Sequence, residues 1–298
     1  MIFSTFSSIK TRVKTTLILT KRCFIFIILF LTLFFNIGCD KKDSKNIAKN
    51  QQNKELKICS LSASATAILL NLNQKVTAID YFSKIVVKDP ALTIPIIGKG
   101  SLISFEKLVN LEVNHLILWD YQKSLIPKLN DLNIQTTVLP AFRLDDYPKI
   151  VKQLGSLTQK EPQATKLVEA FHQKIAKLKS TLNQENKKPL SKVYFELYGE
   201  YIIAGNNSYI GDLLKLANAQ SITNKTGIVS KEYVIAQNVE TIFYIDGVTT
   251  AKKIASRPGF ANIPAVKNNR IYPIKRDLII EGAYPVEALN YLVAKLRK

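Results

Sequence analysis

One long amphipathic segment, residues 158–189, most constrains how this chain can fold. Its apolar residues fall on one face of a helix. They are Ala164, Leu167, Val168, Phe171, Ile175, Leu178 and Leu182. Thr158 with Glu161 predicts a capping box, and Pro162 suits a first helical turn. Because an α/β pattern of about 100 residues lies on either side, we expect this helix to join two lobes over a cleft. The alternative is an ordinary long helix packed on a single domain.

The part before this helix alternates short buried strands with helices, which predicts a mostly parallel sheet. The predicted strands are residues 56–61, 76–79, 115–119 and 135–139. Open α/β sheets bind ligands at the carboxyl ends of their strands. Tyr81, Trp119 and Tyr121 fall at or just after such ends. We therefore interpret these aromatic residues as candidate ligand contacts, with core packing as the alternative for each one singly.

The part after the helix repeats the part before it. Residues 104–120 align without gaps on residues 230–246, at an offset of 126, with Ser, Glu, Val and Asp identical. Both copies predict a capped helix, a turn and a buried strand, so two similar lobes are favoured. The predicted fold is α/β, with two Rossmann-like lobes joined by one long α-helix and a ligand cleft between the lobes. The predicted bounds are 55–157 and 189–298 for the lobes, and 158–188 for the connecting helix.

Two glutamates occupy the same position in the two copies. Glu106 and Glu232 each lie two residues after the serine that is predicted to cap the helix. Either one alone is explained as a helix N-terminal acid, which the helix dipole stabilises by about 0.3–1 kcal/mol. Their matching positions favour a second interpretation, one exposed carboxylate per lobe that pairs with arginine on a two-fold partner.

The N-terminus has the pattern of a secretory signal peptide, residues 1–38. Residues 1–22 are basic without any acid, and residues 23–38 are apolar. The apolar run is short for a transmembrane helix, which needs about 20 such residues. An uncleaved membrane anchor is the alternative.

Residues 37–39, Ile-Gly-Cys, resemble the lipobox of bacterial lipoproteins, although Asn36 stands where that pattern usually has leucine. The resemblance implies that Cys39 is lipidated and becomes the mature N-terminus. Asp40 directly after it implies retention at the inner membrane in that family. Residues 40–54 hold only two apolar residues, which predicts that 39–54 form a solvated, lipidated tether.

Charge and motifs narrow the classes of function. The net charge of +19 favours anionic partners. No nucleic-acid motif is present and lysines are scattered, so nucleic acid ranks last among these partners. His115 and His172 have no metal-ligand spacing, and no nucleophile elbow or phosphate loop appears. Nothing in the sequence therefore favours an enzyme, and three cysteines are too few for a disulfide framework.

Several segments resemble the substrate-binding proteins of bacterial ABC importers for iron chelates, haem and cobalamin. They are residues 60–66, 105–111, 230–232, 263–272 and 281–289, within a similarity that covers 56–298. The resemblance implies two lobes with limited closure, and docking of Glu106 and Glu232 to arginines of a permease. It also implies a monomer in the periplasm, held at the inner membrane by Cys39, with an ABC permease dimer and its ATPase as partners.

The same resemblance implies that the ligand is a metal chelate or tetrapyrrole and that the protein has no cofactor of its own. Many siderophore binders carry arginine in a Gly-Pro-Arg-like segment, but residues 282–285 read Gly-Ala-Tyr-Pro here. Tyr284 is therefore a candidate contact, since tyrosine can stack, donate a hydrogen bond or ligate ferric iron. Arg143 and Arg276 follow strands in opposite halves and suit ligand carboxylates, with solvated surface charge as the alternative.

The full set of candidate ligand residues is Tyr81, Trp119, Tyr121, Arg143, Tyr198, Tyr201, Arg276 and Tyr284. The sequence does not choose among a ferric siderophore, haem, cobalamin and a nickel complex. The alternative function is a non-transport surface or signalling lipoprotein. That reading explains the anchor and the tether but leaves the repeated lobe unexplained.

Overall fold

The computed structural model describes residues 55–141, 143–183 and 189–297. Leu56–Lys298 form one compact unit. The predicted signal peptide, residues 1–38, and the predicted lipidated tether, residues 39–54, lie outside the described residues. Within the part that is described, no helix has both the length and the apolar composition needed to cross a bilayer.

The first half folds around a four-stranded parallel sheet. Its elements are β1 (Ile58–Ser60), α1 (Ala63–Asn71), β2 (Ala78–Ile79), β3 (Gly98–Lys99), β4 (Leu102–Ile103), α2 (Phe105–Asn110), β5 (His115–Trp119), α3 (Ile126–Asp131), β6 (Gln135–Leu139) and α4 (Tyr147–Leu157). The strand order is β2-β1-β5-β6, with all pairs parallel. Helices on its faces bury β1 completely and β5 almost so, which explains their continuous apolar runs. Strands β3 and β4 form a separate antiparallel hairpin.

The connecting helix, α5 (Glu161–Asn183), has the predicted apolar stripe. Its buried residues are Ala164, Val168 and Phe171, with Leu167, Ile175 and Leu178 packed beside them. The predicted start at Thr158 is wrong. The Thr158 hydroxyl donates to the Leu154 carbonyl at 2.7 Å, so this residue closes α4 and does not cap α5.

The second half contains a six-stranded mixed sheet. Its elements are β7 (Ser191–Glu196), β8 (Ile202–Ile203), α6 (Tyr209–Leu216), β9 (Ala219–Ser221), β10 (Gly227–Ile228), α7 (Lys231–Ala236), β11 (Thr241–Ile245), α8 (Ala251–Ala255), α9 (Pro264–Lys267), β12 (Ile271–Ile274) and α10 (Pro285–Leu296). The order is β10-β8-β7-β11-β12, and β9 also pairs with β7. Strands β7, β9, β11 and β12 run parallel, whereas β8 and β10 are antiparallel to their neighbours.

The predicted repeat is confirmed residue by residue. Helices α2 and α7, and strands β5 and β11, begin and end at positions that differ by 126. The hydroxyls of Ser104 and Ser230 cap the two helices by accepting a backbone N–H three residues on. Glu112 and Asn238, also 126 apart, both take a φ of +53° in the turn before the strand. The two copies therefore share side-chain caps and turn geometry as well as secondary structure.

One apolar core joins the two halves. It contains Ile58 and Leu69 of the first half, Phe171 of the connecting helix, and Phe195 and Leu289 of the second half. Burial of each such side chain stabilises the fold by about 1.5–3 kcal/mol. Wide separation of the halves would expose this shared core, so the limited closure that the resemblance implies stays our expectation.

Candidate functional site

An arginine lies between aromatic rings from both halves, at the carboxyl ends of the sheets. The guanidinium carbon of Arg276 is 5.1 Å from the centre of the Tyr198 ring and 5.9 Å from the centre of the Phe82 ring. Phe82 follows β2, Tyr198 follows β7, and Arg276 follows β12. These cation–π contacts therefore bring together the strand-end loops of the two sheets, where α/β proteins bind ligands.

Two more side chains of the first half extend this group. Tyr81 and Phe82 are 56% and 40% exposed, and their ring centres lie 6.0 Å apart, edge to face. The Lys99 ammonium nitrogen is 5.7 Å from the centre of the Tyr81 ring and 5.5 Å from that of Phe82. Open aromatic faces beside two cations can stack on a planar ligand and pair with its anionic groups.

A buried carboxylate holds the loop that carries these rings. Asp80 is 2% exposed, and its Oδ1 accepts the Ser83 N–H at 2.8 Å and the Ser83 hydroxyl at 2.5 Å. Its other oxygen accepts the Gly100 N–H at 3.3 Å, and the Tyr81 N–H donates to the Gly98 carbonyl at 2.8 Å. These bonds satisfy the carboxylate and fix the β3–β4 hairpin, with Lys99, against the aromatic rings.

Tyr121 lies two residues after the end of β5. The Tyr121 side chain is 72% exposed, and partial burial followed by the charges of Asp80 and Glu281 raises the pKa of its phenol. Burial also raises the pKa of the Glu281 carboxyl. The charges of carboxyl groups from both halves thus disfavour ionisation of this phenol, which stays a hydrogen-bond donor.

Glu281→Gln should raise the melting temperature at pH 7.5 and leave it almost unchanged at pH 4. The folded-state pKa of Glu281 lies above its unfolded value. The protonated carboxyl therefore favours the folded state, and this stabilisation is lost as the pH rises through the folded-state pKa. The neutral amide removes this cost where the carboxyl is ionised. Thermal unfolding at both pH values checks this, with the exposed Glu169→Gln as the matched control. A lower melting temperature at pH 7.5 would show that a partner stabilises the Glu281 charge.

Arg143 is engaged in an ion pair between the halves. Its Nε donates to Asp212 Oδ2 at 2.6 Å, and its Nη2 donates to Asp212 Oδ1. Asp212 Oδ2 also accepts the Leu144 N–H at 3.1 Å. Ligand contact by Arg143 stays a prediction, and it would require a ligand carboxylate to replace that of Asp212.

Tyr284 contacts a different part of the first half. Its hydroxyl donates to the Val86 carbonyl at 2.8 Å, and the Lys88 ammonium lies 3.4 Å from its ring centre. Burial raises the pKa of Tyr284 to about 12. This side chain ties the start of α10 to the loop after β2, and its role as a ligand contact stays a prediction.

The two other predicted aromatics pack inward. Tyr201 has a φ of +61°, and its ring lies 6.2 Å from that of Phe260 and 5.0 Å from the Arg257 guanidinium carbon. Trp119 is half-buried against the core that joins the two halves. Of the eight predicted residues, the structure therefore links Tyr81, Tyr198 and Arg276, with Phe82 between Tyr81 and Arg276, and it leaves Tyr121 exposed after β5.

Sequence reasoning missed Phe82, Lys99 and Glu281. Phe82 directly follows the predicted Tyr81, and Lys99 ends the short strand β3. Glu281 lies in a segment that carries the family resemblance. The carboxyl-end rule, applied to both neighbours of each strand-end tyrosine, would have found Phe82.

No group of three or more His, Cys, Asp or Glu side chains suited to a metal ion occurs among the residues that the structure describes. Two surface depressions, of about 550 and 580 Å³, are lined by other residues than the aromatic group around Arg276. The first lies along α5 near His172, and the second near Tyr233.

Glu106 and Glu232 both project from the first turn of a short helix. Each is exposed, and the Glu232 side chain, 74% exposed, lies 3.4 Å from the Lys231 ammonium. A backbone N–H, and then Lys231, lower the pKa of the Glu232 carboxyl. Each copy of the repeat therefore presents a solvent-facing carboxylate at the equivalent place.

Strand-end loops of two α/β sheets that meet at a shared group of aromatic and charged side chains are typical of a two-lobed α/β binding protein. The chain belongs to the periplasmic binding protein family, whose model matches residues 58–278. Members of this family are binding proteins and not enzymes.

Known proteins extend this similarity. A Bacillus subtilis (strain 168) protein, the uncharacterized ABC transporter substrate-binding lipoprotein YvrC, is 26% identical over 93% of this chain and 97% of its own length. The periplasmic heme-binding protein RhuT from Roseiflexus sp. RS-1, in its apo form, is 20% identical with a TM-score of 0.70, over 81% of this chain and 98% of its own. The periplasmic vitamin B12 binding protein BtuF of Vibrio cholerae is 19% identical with a TM-score of 0.66, over 81% and 96%.

Proposed function

We propose that this chain is the substrate-binding lipoprotein of an ABC importer, which captures a metal chelate or tetrapyrrole and delivers it to the permease. The observation that carries the proposal is Arg276 held between Tyr198 and Phe82, one ring from each half. A ligand placed there contacts both lobes at once, so its binding is coupled to their relative position. Family membership and the similarity to YvrC support the importer over a non-transport lipoprotein.

The chemistry of the site supports a ring-bearing ligand with anionic groups. Tyr81, Phe82 and Tyr198 offer exposed faces for stacking, while Lys99 and Arg276 offer charge-assisted hydrogen bonds. Haem, with a planar macrocycle and two carboxylates, meets both requirements. The likeness to a heme-binding and a vitamin B12 binding protein supports a tetrapyrrole as the class, with a ferric siderophore as the second candidate.

The proposal includes a membrane anchor and a docking face. Lipidation of Cys39, followed by the tether 39–54, would hold the lobes at the outer side of the inner membrane, and the name of YvrC supports a lipoprotein. Glu106 and Glu232 would pair with arginines of the two permease subunits. Their matched exposure in the two copies supports this role.

Titration with haemin, cobalamin, a ferric catecholate and a nickel chelate tests the proposal. We expect one of them to quench Trp119 saturably, after correction for inner-filter absorption, and to release or absorb heat in calorimetry. Arg276→Ala and Tyr198→Ala should each raise the Kd for that ligand by about tenfold, since each removes a contact of roughly 1–2 kcal/mol. The neighbouring exposed Lys275→Ala is the matched control and should bind normally.

Unchanged affinity in both variants would place the ligand away from Arg276. If none of the four compounds quenches Trp119 or gives a heat of binding, the non-transport lipoprotein would be favoured.

A further inference from the structure

Two exposed aliphatic side chains stand at matched positions near the two glutamates. Leu102 is 84% exposed and Ile228 is 81% exposed, the highest fractions among the exposed large apolar residues of the described chain. They are 126 residues apart, and each lies four residues before its glutamate, Glu106 or Glu232. Single exposed apolar residues are ordinary on protein surfaces, but these two share the 126-residue offset of the repeat and lie just before its aligned residues, 104–120 and 230–246.

The backbone at both positions belongs to a paired strand. Leu102 lies in β4, where it pairs with Lys99 of the hairpin that the Gly100 N–H ties to Asp80. Ile228 lies in β10, the edge strand that pairs with Ile202 of β8. Short edge strands usually carry charged residues outward, which protects the edge from association. Here both strands present an aliphatic side chain instead. Because the backbone is already paired in a strand, less conformational entropy is lost when a partner binds it.

The fold gains almost nothing from these two side chains. Because more than four-fifths of each is in contact with solvent, neither contributes appreciable burial to the apolar cores. A change to a small polar residue at either position should therefore leave the fold intact. Their apolar character is useful where a second molecule covers them.

We infer that Leu102 and Ile228 are the apolar anchors of a two-fold docking surface, each entering an apolar depression beside a cation on one of two equivalent subunits. The inference rests on the proposed function and takes the permease dimer as the occupant. Charge complementarity fits, because each anchor lies four residues before an exposed carboxylate, Glu106 or Glu232, which is proposed to pair with an arginine of the permease. The repeat fits too, because it presents the same apolar and acidic pair twice to a partner that is itself two-fold. An apolar contact with a charged rim is the usual composition of a protein interface.

Binding of the full-length chain to its permease–ATPase complex, both in the same detergent, tests the inference. Leu102→Ser and Ile228→Ser should each raise the Kd by about tenfold, and the double variant by about a hundredfold, because distant sites add. Leu102→Met and Ile228→Met should bind like the unmodified chain. Leu190→Ser, at an apolar residue that is 39% exposed and precedes β7 at the opposite end of its sheet, is the matched control.

The outcomes separate the two proposals. If the unmodified chain fails to bind the complex, the proposed function is overturned, and the inference with it. If it binds, but the double serine variant has the same Kd, the inference alone is overturned. A double variant that loses affinity for the small ligand, and not for the complex, would also overturn it, because the two side chains would then act on the cleft.

Discussion

Glu106→Arg combined with Glu232→Arg should reduce ligand uptake by at least about a hundredfold while the affinity of the chain for its ligand stays unchanged. Each exposed carboxylate is expected to meet an arginine, so the reversal places like charges face to face at two sites. Such a juxtaposition costs several kcal/mol at an interface, and two separate sites add. Neither glutamate belongs to the aromatic group around Arg276, so the cleft itself is not altered.

Uptake of labelled ligand by cells measures the first quantity, and calorimetry with the purified variant measures the second. Glu169→Arg, an exposed reversal on the connecting helix, is the matched control and should support normal uptake. Reversal of the facing arginines to glutamate in the permease should restore uptake by the double variant. Loss of ligand affinity would instead place the glutamates in the pocket, and normal uptake would exclude them from docking.

The elements that local patterns determine were predictable. The stripe on α5 follows from the helical period, and the repeat follows from matched caps and apolar positions at 104–120 and 230–246. The start of α5 was predicted wrongly because two helices stand close together there. A threonine hydroxyl satisfies the carbonyl four residues before it as readily as it caps a following helix, and Thr158 does the former.

The site was predictable only as far as topology alone determines it. Tyr198 and Arg276 were correctly expected at strand ends, and parallel strands bring such ends together whatever the details of packing. Arg143 and Tyr284 illustrate what sequence does not show, since their hydrogen-bond partners lie 69 and 198 residues away. Which donor pairs with which acceptor depends on how whole lobes pack, and the local periodicity of the sequence does not predict it.

The second large effect, on the free energy of unfolding, is expected from a buried ion pair between Arg257 and Glu196. No sequence pattern indicated this pair. The Arg257 and Glu196 side chains are 6% and 2% exposed. Arg257 Nη1 donates to Glu196 Oε2 at 2.5 Å and Nη2 to Oε1 at 2.8 Å. The Tyr194 hydroxyl and the Tyr201 N–H also donate to Oε2. The carboxylate is therefore bound by four donors from β7, from the turn after it and from the segment after α8.

Arg257→Ala should lower the free energy of unfolding by about 3–5 kcal/mol, because it leaves the Glu196 carboxylate buried without its cation. Denaturant unfolding measures the change. Lys123→Ala breaks an exposed pair with Asp120 and should cost at most about 1 kcal/mol. The double change Glu196→Met with Arg257→Met should recover most of the loss, since apolar residues of similar volume replace a buried pair at little cost.

Arg257→Ala should also weaken ligand binding, because the Arg257–Glu196 ion pair positions the turn that carries Tyr198. The Tyr201 N–H donates to Glu196 Oε2 at 3.3 Å, and the Glu200 carboxylate lies 3.7 Å from Arg257 Nη2, so both contacts hold the residues that follow Tyr198 in this turn. Loss of the arginine frees the turn, and the Tyr198 ring loses its fixed place against Arg276. We expect the ligand Kd to rise in Arg257→Ala at a temperature where the variant is folded. Full stability and full affinity in this variant would show that the Arg257–Glu196 pair supports neither the fold nor the position of Tyr198.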